Sequence, residues 1–403
     1  MADRAAPLLF VTQHYRPELI GSAPFCVDIA EWLAERGRSV TVLTGPPHYP
    51  DPSDFPDELE PIEIAGGVII RRVPSLKPRR NSVRSRIFSE LSFLACGLGA
   101  LLSRRVARRE IVLSLAPSIL AIALGIAARK RGGRHIAIVY DIQSGLARGL
   151  GMVGDGVLFR LMRWCERWVL NRADMIVVLT ESMRRELRDL GVTSPIDVVP
   201  IWVNIAAFAP RAAETGDRPL TICYSGNLGL KQGIAQIIEL AGELGRLRPD
   251  IQLVLRGSGS QADRLAAEVS EHRLGNVRLE PLLPRSQFAR GLAEADIHLV
   301  PLEPSAAPFM LPSKVFNIMA TGLPFVATAE PGSSLWRLHE RTGAFLCVRP
   351  NAPAEFASAV MTLARDEELR REMGARGRAY VEENCSKELV LGTLLTLIDT
   401  VHA

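Results

Sequence analysis

Three short segments place small residues, an amide and an ammonium where a phosphate could be held. In Ser225-Gly226-Asn227-Leu228-Gly229 the chain is expected to turn sharply out of a strand, and Lys231-Gln232-Gly233 opens the following helix. Small residues such as Gly226 let the backbone approach an anion closely, and a helix N-terminus offers unpaired N–H groups with a favourable dipole. Lys231 adds a full positive charge. The same composition also suits an ordinary βα turn. Arg256-Gly257-Ser258-Gly259-Ser260 repeats the pattern, but Ala262 stands where a dinucleotide fingerprint would carry its third glycine, which argues against a dehydrogenase. In the third segment, Leu311 to Ala327, Pro312 and Ser313 suit a helix start and Gly322 its end. Lys314 and Asn317 are three apart and share one helix face. That face could present an ammonium and an amide to a ribose or pyrophosphate, or simply to solvent.

The first half offers different chemistry. His14-Tyr15-Arg16-Pro17-Glu18 leads into Gly21-Ser22-Ala23, again small residues before a helix. His14 could serve a reaction or merely pack or cap. Asp141 and Gln143 follow a strand ending at Tyr140, whereas Glu181 could equally be the first-turn acid of its helix. The six cysteines form no CxxC pair, no histidine stands at ligand spacing, and no Asp-x-Asp occurs. Structural zinc and a metal-neutralised diphosphate are therefore not expected, and a reducing cytoplasm is the simplest setting.

These residues need a scaffold. A chain of 403 residues suits two domains of about 200 residues each. Apolar, β-branched runs are expected as strands at 8–12, 39–44, 68–73, 111–115, 136–140, 175–179 and 197–200. A second series runs at 220–224, 251–255, 277–280, 297–301, 325–328 and 344–348. Helical patterns separate most of them, so the fold class is α/β with two doubly wound, Rossmann-like parallel sheets. The domains are expected at 1–205 and 219–385, with a polar linker at 206–218 and a C-terminal helix, 386–403, folding back across the hinge. Ligands of such sheets bind beyond the C-terminal strand ends, so two domains facing one another would enclose a cleft.

Net charge is only +4, yet eleven Arg or Lys face one acid, Glu90, between Arg71 and Arg109. No nucleic-acid motif or interleaved aromatics accompany the cluster, so an anionic membrane surface or phosphate is the expected partner rather than nucleic acid. The apolar stretch Ile87–Leu102 lies inside it and falls short of the roughly 20 residues that span a bilayer. No transmembrane helix is expected. Residues 87–102 would either dock on a membrane or be buried between sheets.

Taken together, several segments resemble the GT-B family of retaining glycosyltransferases (family 4, the glycosyl transferases group 1 domain), closest to colanic-acid-type and fucosamine-type exopolysaccharide transferases. The matching stretches are His14–Pro17 with Gly21, Val42-Leu43-Thr44 with Pro47-His48-Tyr49-Pro50, Ile201-Trp202-Val203-Asn204, Tyr224–Gly233 and Leu311–Pro324, in the family's order across nearly the whole chain. The resemblance implies transfer, with retention, from a UDP- or GDP-sugar to a glycan acceptor, commonly polyprenyl-diphosphate-linked, by an enzyme peripheral to the inner membrane face. It implies that Asn227 and Lys231 face the pyrophosphate, with Arg256 near and Gly257 lining the site. Backbone around Leu282 would meet the base, Asn317 the ribose, and Gly21 the phosphates. Lys231, helix N-termini and Arg256 would stabilise the leaving diphosphate without a metal, and Asp141, ahead of His14, would serve the acceptor hydroxyl.

Two departures stand out. Phe309 and Asn317 occupy positions where many relatives carry glutamates, and Asn227 stands where many carry arginine. The loss of the first acid favours a deoxy or acetamido sugar over glucose. It also leaves room for a non-catalytic nucleotide-binding protein. A nucleotide-sugar epimerase on the same fold would need more carboxylates at the site.

Overall fold

The computed structural model describes residues 6–402, apart from 19–20, 49–51, 57–59, 79–82, 117, 150, 152–155, 209–218 and 310. Most of the expected linker lies outside the described residues, as do Tyr49, Pro50, Arg79 and Arg80. The chain divides into two compact units, Met1–Val199 with Leu391–Ala403, and Pro200–Val390. The boundary falls before residue 206 because the Val203 N–H donates to the Cys385 carbonyl at 2.9 Å, holding this stretch to the second unit.

Among the described residues, the first unit contains β1 (Leu8–Val11), α1 (Ala23–Glu35), β2 (Val40–Thr44), β3 (Ile62–Ala65), β4 (Val68–Arg72), α2 (Val83–Leu102), β5 (Arg109–Leu115) and α3 (Ile119–Ala128). Then follow β6 (Arg129–Val139), α4 (Gln143–Gly149), α5 (Val157–Leu170), β7 (Met175–Val178), α6 (Glu181–Asp189) and β8 (Ile196–Val198). The sheet order is β3-β4-β2-β1-β5-β6-β7-β8, parallel throughout except where β3 pairs antiparallel with β4. β1 and β2 are buried at every position, as parallel strands covered on both faces are. β3 was not expected. Ile62 and Ile64 point outward at the sheet edge, and the strand is added by a hairpin through Gly66 and Gly67, both at positive φ.

The second unit contains β9 (Thr221–Asn227), α7 (Ile234–Leu247), β10 (Gln252–Ser258), α8 (Ala262–Glu271), β11 (Val277–Glu280), α9 (Arg285–Ala293), β12 (Ile297–Pro301) and α10 (Lys314–Thr321). It continues with β13 (Phe325–Thr328), α11 (Ser334–Thr342), β14 (Leu346–Val348), α12 (Pro353–Arg365), α13 (Glu367–Asn384) and the start of α14 (Lys387–His402). Its sheet, β11-β10-β9-β12-β13-β14, is entirely parallel. From Leu391 onward α14 belongs to the first unit, where Asp399 pairs with Arg38.

Two expectations need correction. Ser225, Gly226 and Asn227 do not turn out of the strand. They pair with Arg256, Gly257 and Ser258 of β10, and the turn begins at Leu228. In addition, α2 starts at Val83, so Arg84–Leu102 is long and apolar enough to cross a membrane by length and composition alone. It is not a buried helix between sheets: Ile87 is 54% and Phe88 63% exposed.

Candidate functional site

In each unit the strand order reverses beside the first strand, between β1 and β5 and between β9 and β12. Connections from neighbouring strands diverge there and leave room for a ligand. His14 and Gly21 follow β1, and Asn227 to Gly233 close and follow β9, at these two places.

After β9 the chain makes a one-turn 3₁₀ helix, Leu230–Gln232, and Gly233 enters α7 at φ 56°. The Tyr224 hydroxyl donates to the Asn227 carbonyl at 2.6 Å and reaches Gln232 Oε1 at 3.4 Å, so the turn is braced from inside. The Glu303 N–H, on the connection after β12, donates to the Lys231 carbonyl at 3.0 Å. Lys231 itself is half-buried. Pro312 and Ser313 precede α10, and Gly322 ends it in the left-handed region, as their types dictate. Lys314 and the half-buried Asn317 lie on this helix.

Lys314 carries the most unusual environment of the set. Its Nζ lies 3.8 Å from the centre of the Tyr224 ring. Nζ is enclosed without a hydrogen-bond partner, although the residue as a whole is only half-buried. Burial lowers its pKa to about 7, since an enclosed ammonium loses hydration that a π face replaces only in part. Gly226, at φ 140°, leaves this space open: a side-chain carbon there would stand 3.1 Å from Lys314 Nζ. Gly257 is needed for a different reason, because a side chain would run into the Gly226 carbonyl on the neighbouring strand.

Arg256 lies beside Ser225 in the sheet, with its side chain held by partners of its own. Its Nε donates to Glu280 at 2.9 Å, one terminal nitrogen to the Gly291 carbonyl at 2.8 Å and the other to Glu294 at 3.1 Å. The guanidinium is committed to tying β10 to β11 and α9. Leu282 is half-buried on the connection after β11. Phe309 ends a 3₁₀ turn, Pro304–Phe309, that starts next to Glu303.

In the first unit the connection after β1 holds a cluster that spacing did not reveal. His14 Nδ1 is 2.8 Å from Glu18 Oε2, and Glu18 Oε1 accepts the His48 backbone N–H at 2.8 Å. The His14 and His48 ring centres are 4.9 Å apart. Burial works against the His14 imidazolium, but the Glu18 carboxylate outweighs it, with Glu90 in support, and the pKa is raised. Burial likewise opposes the Glu18 charge, and His14 with His48 outweighs it, so that pKa is lowered. Burial and the neighbouring His14 bring His48 down to about 4. The ligating atoms of His14, Glu18 and His48 lie within 4.8 Å of one another, a nitrogen and carboxylate set of the kind divalent ions accept. Both Glu18 oxygens already accept hydrogen bonds, so here the carboxylate orients a ring and pins a loop.

Gly21 is exposed at φ 71°, directly before Ser22, whose Oγ is enclosed without a partner at the start of α1. Asp141 follows β6 and lines a small cavity with Gln143 and Glu166. Glu166, reaching in from α5, accepts the Gln143 N–H at 3.0 Å and the Ser144 hydroxyl. Glu181 is the first residue of α6 and pairs with Arg184, the helix-end role that its position allowed.

The chain matches the family pattern described as "Glycosyl transferase 4-like domain" over residues 21–202 and that of "Glycosyl transferases group 1" over residues 208–380. It is 29% identical to the WcaI glycosyl transferase of Escherichia coli, named for colanic acid biosynthesis, over 94% of this chain and 96% of that one. Identity to the WbjE glycosyltransferase of Pseudomonas aeruginosa is 24%, covering 78% and 80% of the two chains. Among solved structures, sucrose-phosphate synthase from Thermosynechococcus elongatus superposes with a TM-score of 0.78 at 16% identity, covering 98% of this chain and 99% of that one. HepE of Anabaena, in complex with UDP and glucose, gives 0.70 at 13% identity over 98% and 99%. At such identities the solved structures speak for the fold alone.

Proposed function

The chain belongs to the GT-B glycosyltransferases built from a glycosyl transferase 4-like domain and a glycosyl transferases group 1 domain, and on that premise we propose that it moves a hexose-type sugar from a UDP- or GDP-sugar, with retention, to a polyprenyl-diphosphate-linked glycan. The setting is exopolysaccharide or surface polysaccharide synthesis at the cytoplasmic face of the membrane. The name of the WcaI relative supports the pathway class.

One observation carries the donor assignment: the enclosed Lys314 ammonium, with a ring face at 3.8 Å and no hydrogen-bond partner. A diphosphate beside it supplies the missing acceptor. The start of α7 after the Leu228–Gly233 turn and the half-buried Lys231 add to the same field. As the anomeric C–O bond to the diphosphate breaks, negative charge develops on the leaving oxygen, and we assign its stabilisation to these groups. Neutralisation by Lys314, Lys231 and backbone N–H groups is the metal-independent route we assign to this chain. Arg256 acts as a positioning residue, since its donors hold Glu280, Glu294 and Gly291. Asn317 remains the group for the ribose, Asn227 for the pyrophosphate and backbone near Leu282 for the base. Glu303 is tied to the Lys231 carbonyl, and we assign it the sugar-hydroxyl contact that Phe309 cannot make.

On the acceptor side, the Glu18 carboxylate raises the pKa of His14 and favours its protonated form, which suits it to an anionic group of the acceptor better than to taking a proton. Asp141 is the better proton acceptor for the attacking hydroxyl. The basic region from Arg71 to Arg109, with the exposed face of α2, is assigned to an anionic membrane surface. The reading is tested by incubating the protein with a panel of UDP- and GDP-sugars and extracted polyprenyl-diphosphate glycans. Transfer of labelled sugar into the lipid fraction is expected; nucleotide binding with no transfer to any acceptor would instead favour a non-catalytic nucleotide-binding protein.

A further inference from the structure

We propose that the outer face of α5 docks on an anionic lipid bilayer. The helix turns Val157, Leu158, Leu161, Trp164 and Trp168 outward on one stripe. Val157 is 73%, Trp164 51% and Trp168 45% exposed, and the two indoles lie 6.1 Å apart at an interplanar angle of 27°. Nothing in the spacing requires this exposure. The opposite face already supplies Phe159, Val169 and Leu170 to the core, so the outer stripe is surplus to folding and exposed to water at a cost.

Charge identifies the partner. Arg160 and Arg167 are exposed on the same helix, and the Arg172 guanidinium lies 3.4 Å from the centre of the Trp168 ring. The one acid of α5, Glu166, is buried on the inner face, where it holds Gln143 and Ser144. The outer face is therefore apolar and cationic, the complement of acyl chains beneath anionic headgroups, with tryptophans suited to the boundary.

A planar surface fits better than a groove on another protein because a second helix of the same layer shows the same character. α3 packs against both α2 and α5, and α2 exposes Ile87, Phe88 and Leu91 near Arg84 and Arg86. A bilayer can meet both helices. Docking would also steady residues 143–144, held by Glu166, just after Asp141. The proposal extends the membrane setting given above from α2 to α5, and it rests on that setting only for its biological sense.

The full chain is sedimented with vesicles of phosphatidylglycerol and phosphatidylcholine, and with phosphatidylcholine alone. Wild type is expected to bind the anionic vesicles in a salt-sensitive way. Trp164→Ala with Trp168→Ala should lower that binding roughly tenfold, while Arg160→Ala with Arg167→Ala should remove most of its salt dependence. A retained nucleotide-dependent thermal shift shows that each variant is folded. Unchanged vesicle binding in the tryptophan variant overturns the proposal, as does loss of binding only in a Phe88→Ala, Leu91→Ala variant. So does a wild type that ignores vesicles but dissociates from dimer to monomer in the tryptophan variant, which would assign the stripe to a second copy. Failure of sugar transfer leaves the vesicle result untouched, so the two readings fall separately.

Discussion

Lys314 Nζ stands 3.8 Å over the Tyr224 ring, and the hydroxyl of that same tyrosine donates to the Asn227 carbonyl at 2.6 Å. One aromatic side chain thus braces the turn with its edge and faces an ammonium with its ring. Replacing Lys314 by methionine keeps the packing of the stem and removes the charge. Nucleotide affinity is expected to fall about 10- to 100-fold, the worth of one charge-assisted hydrogen bond. The unliganded protein should melt at a higher temperature, because an enclosed cation without a partner is costly. Calorimetric titration and thermal melting of the same variant check both halves.

The pH dependence follows from the same group. With its pKa lowered to about 7 in the folded, unliganded protein, Lys314 binds fewer protons there than when unfolded. Apo stability should therefore rise with pH from about 7 toward the ordinary lysine value of 10.5. Donor binding needs the charged form. Affinity for a nucleotide sugar, whose diphosphate diester does not titrate near neutrality, should be flat below about pH 7. Above that it should weaken by up to roughly tenfold per pH unit. Both slopes should vanish in Lys314→Met; titrations across this range in the two proteins decide it.

Arg256→Ala should behave in the opposite way to Lys314→Met. Losing the guanidinium removes the Arg256 pair from Glu294 and leaves Glu280 with Arg278 alone. The destabilisation expected is about 2–4 kcal/mol, discounted because Glu294 is half-exposed. Nucleotide affinity of the protein that remains folded should change by less than about threefold. Chemical denaturation beside calorimetry separates the two effects, and a large affinity loss at full stability would return Arg256 to the phosphates.

Glu18→Gln tests the acceptor side. Glu18 is stabilising above its ordinary value of 4.5, and this is lost as pH falls through its lower folded pKa. The contribution of His14 is complete below 6.5 and is lost as pH rises through its raised folded pKa. The stability difference between wild type and variant should therefore be greatest between pH 4.5 and 6.5. The His14 resonance should titrate at lower pH in the variant, which NMR would read directly.

Much of the scaffold was legible because its signals are local. Strands such as β12 and β13 are short, largely apolar runs buried at every position, and α10 starts and stops where Pro312, Ser313 and Gly322 require. β3 escaped because its isoleucines face outward. The segment of α13 offers few apolar side chains to a periodicity; it packs partly by their absence, since a side chain at Gly374 would run into the Gly322 carbonyl. The site was half legible. Lys314 could be placed on a helix face, but its enclosure depends on Tyr224 from a distant strand. Arg256 followed a glycine-rich pattern, and only the fold brings Glu280, Glu294 and Gly291 to its donors. Glu18 lay four residues from His14 without any spacing that marks it, and His48 reaches it from the connection after β2.

The central claim, that the Leu228–Gly233 turn and Lys314 bind a nucleoside diphosphate, is tested most directly by titrating UDP and GDP calorimetrically into wild type and Lys314→Met. The account predicts saturable binding of one of the two by wild type and a loss of at least about tenfold in the variant. Equal affinity in both proteins, or no binding of either nucleotide by wild type, would contradict it.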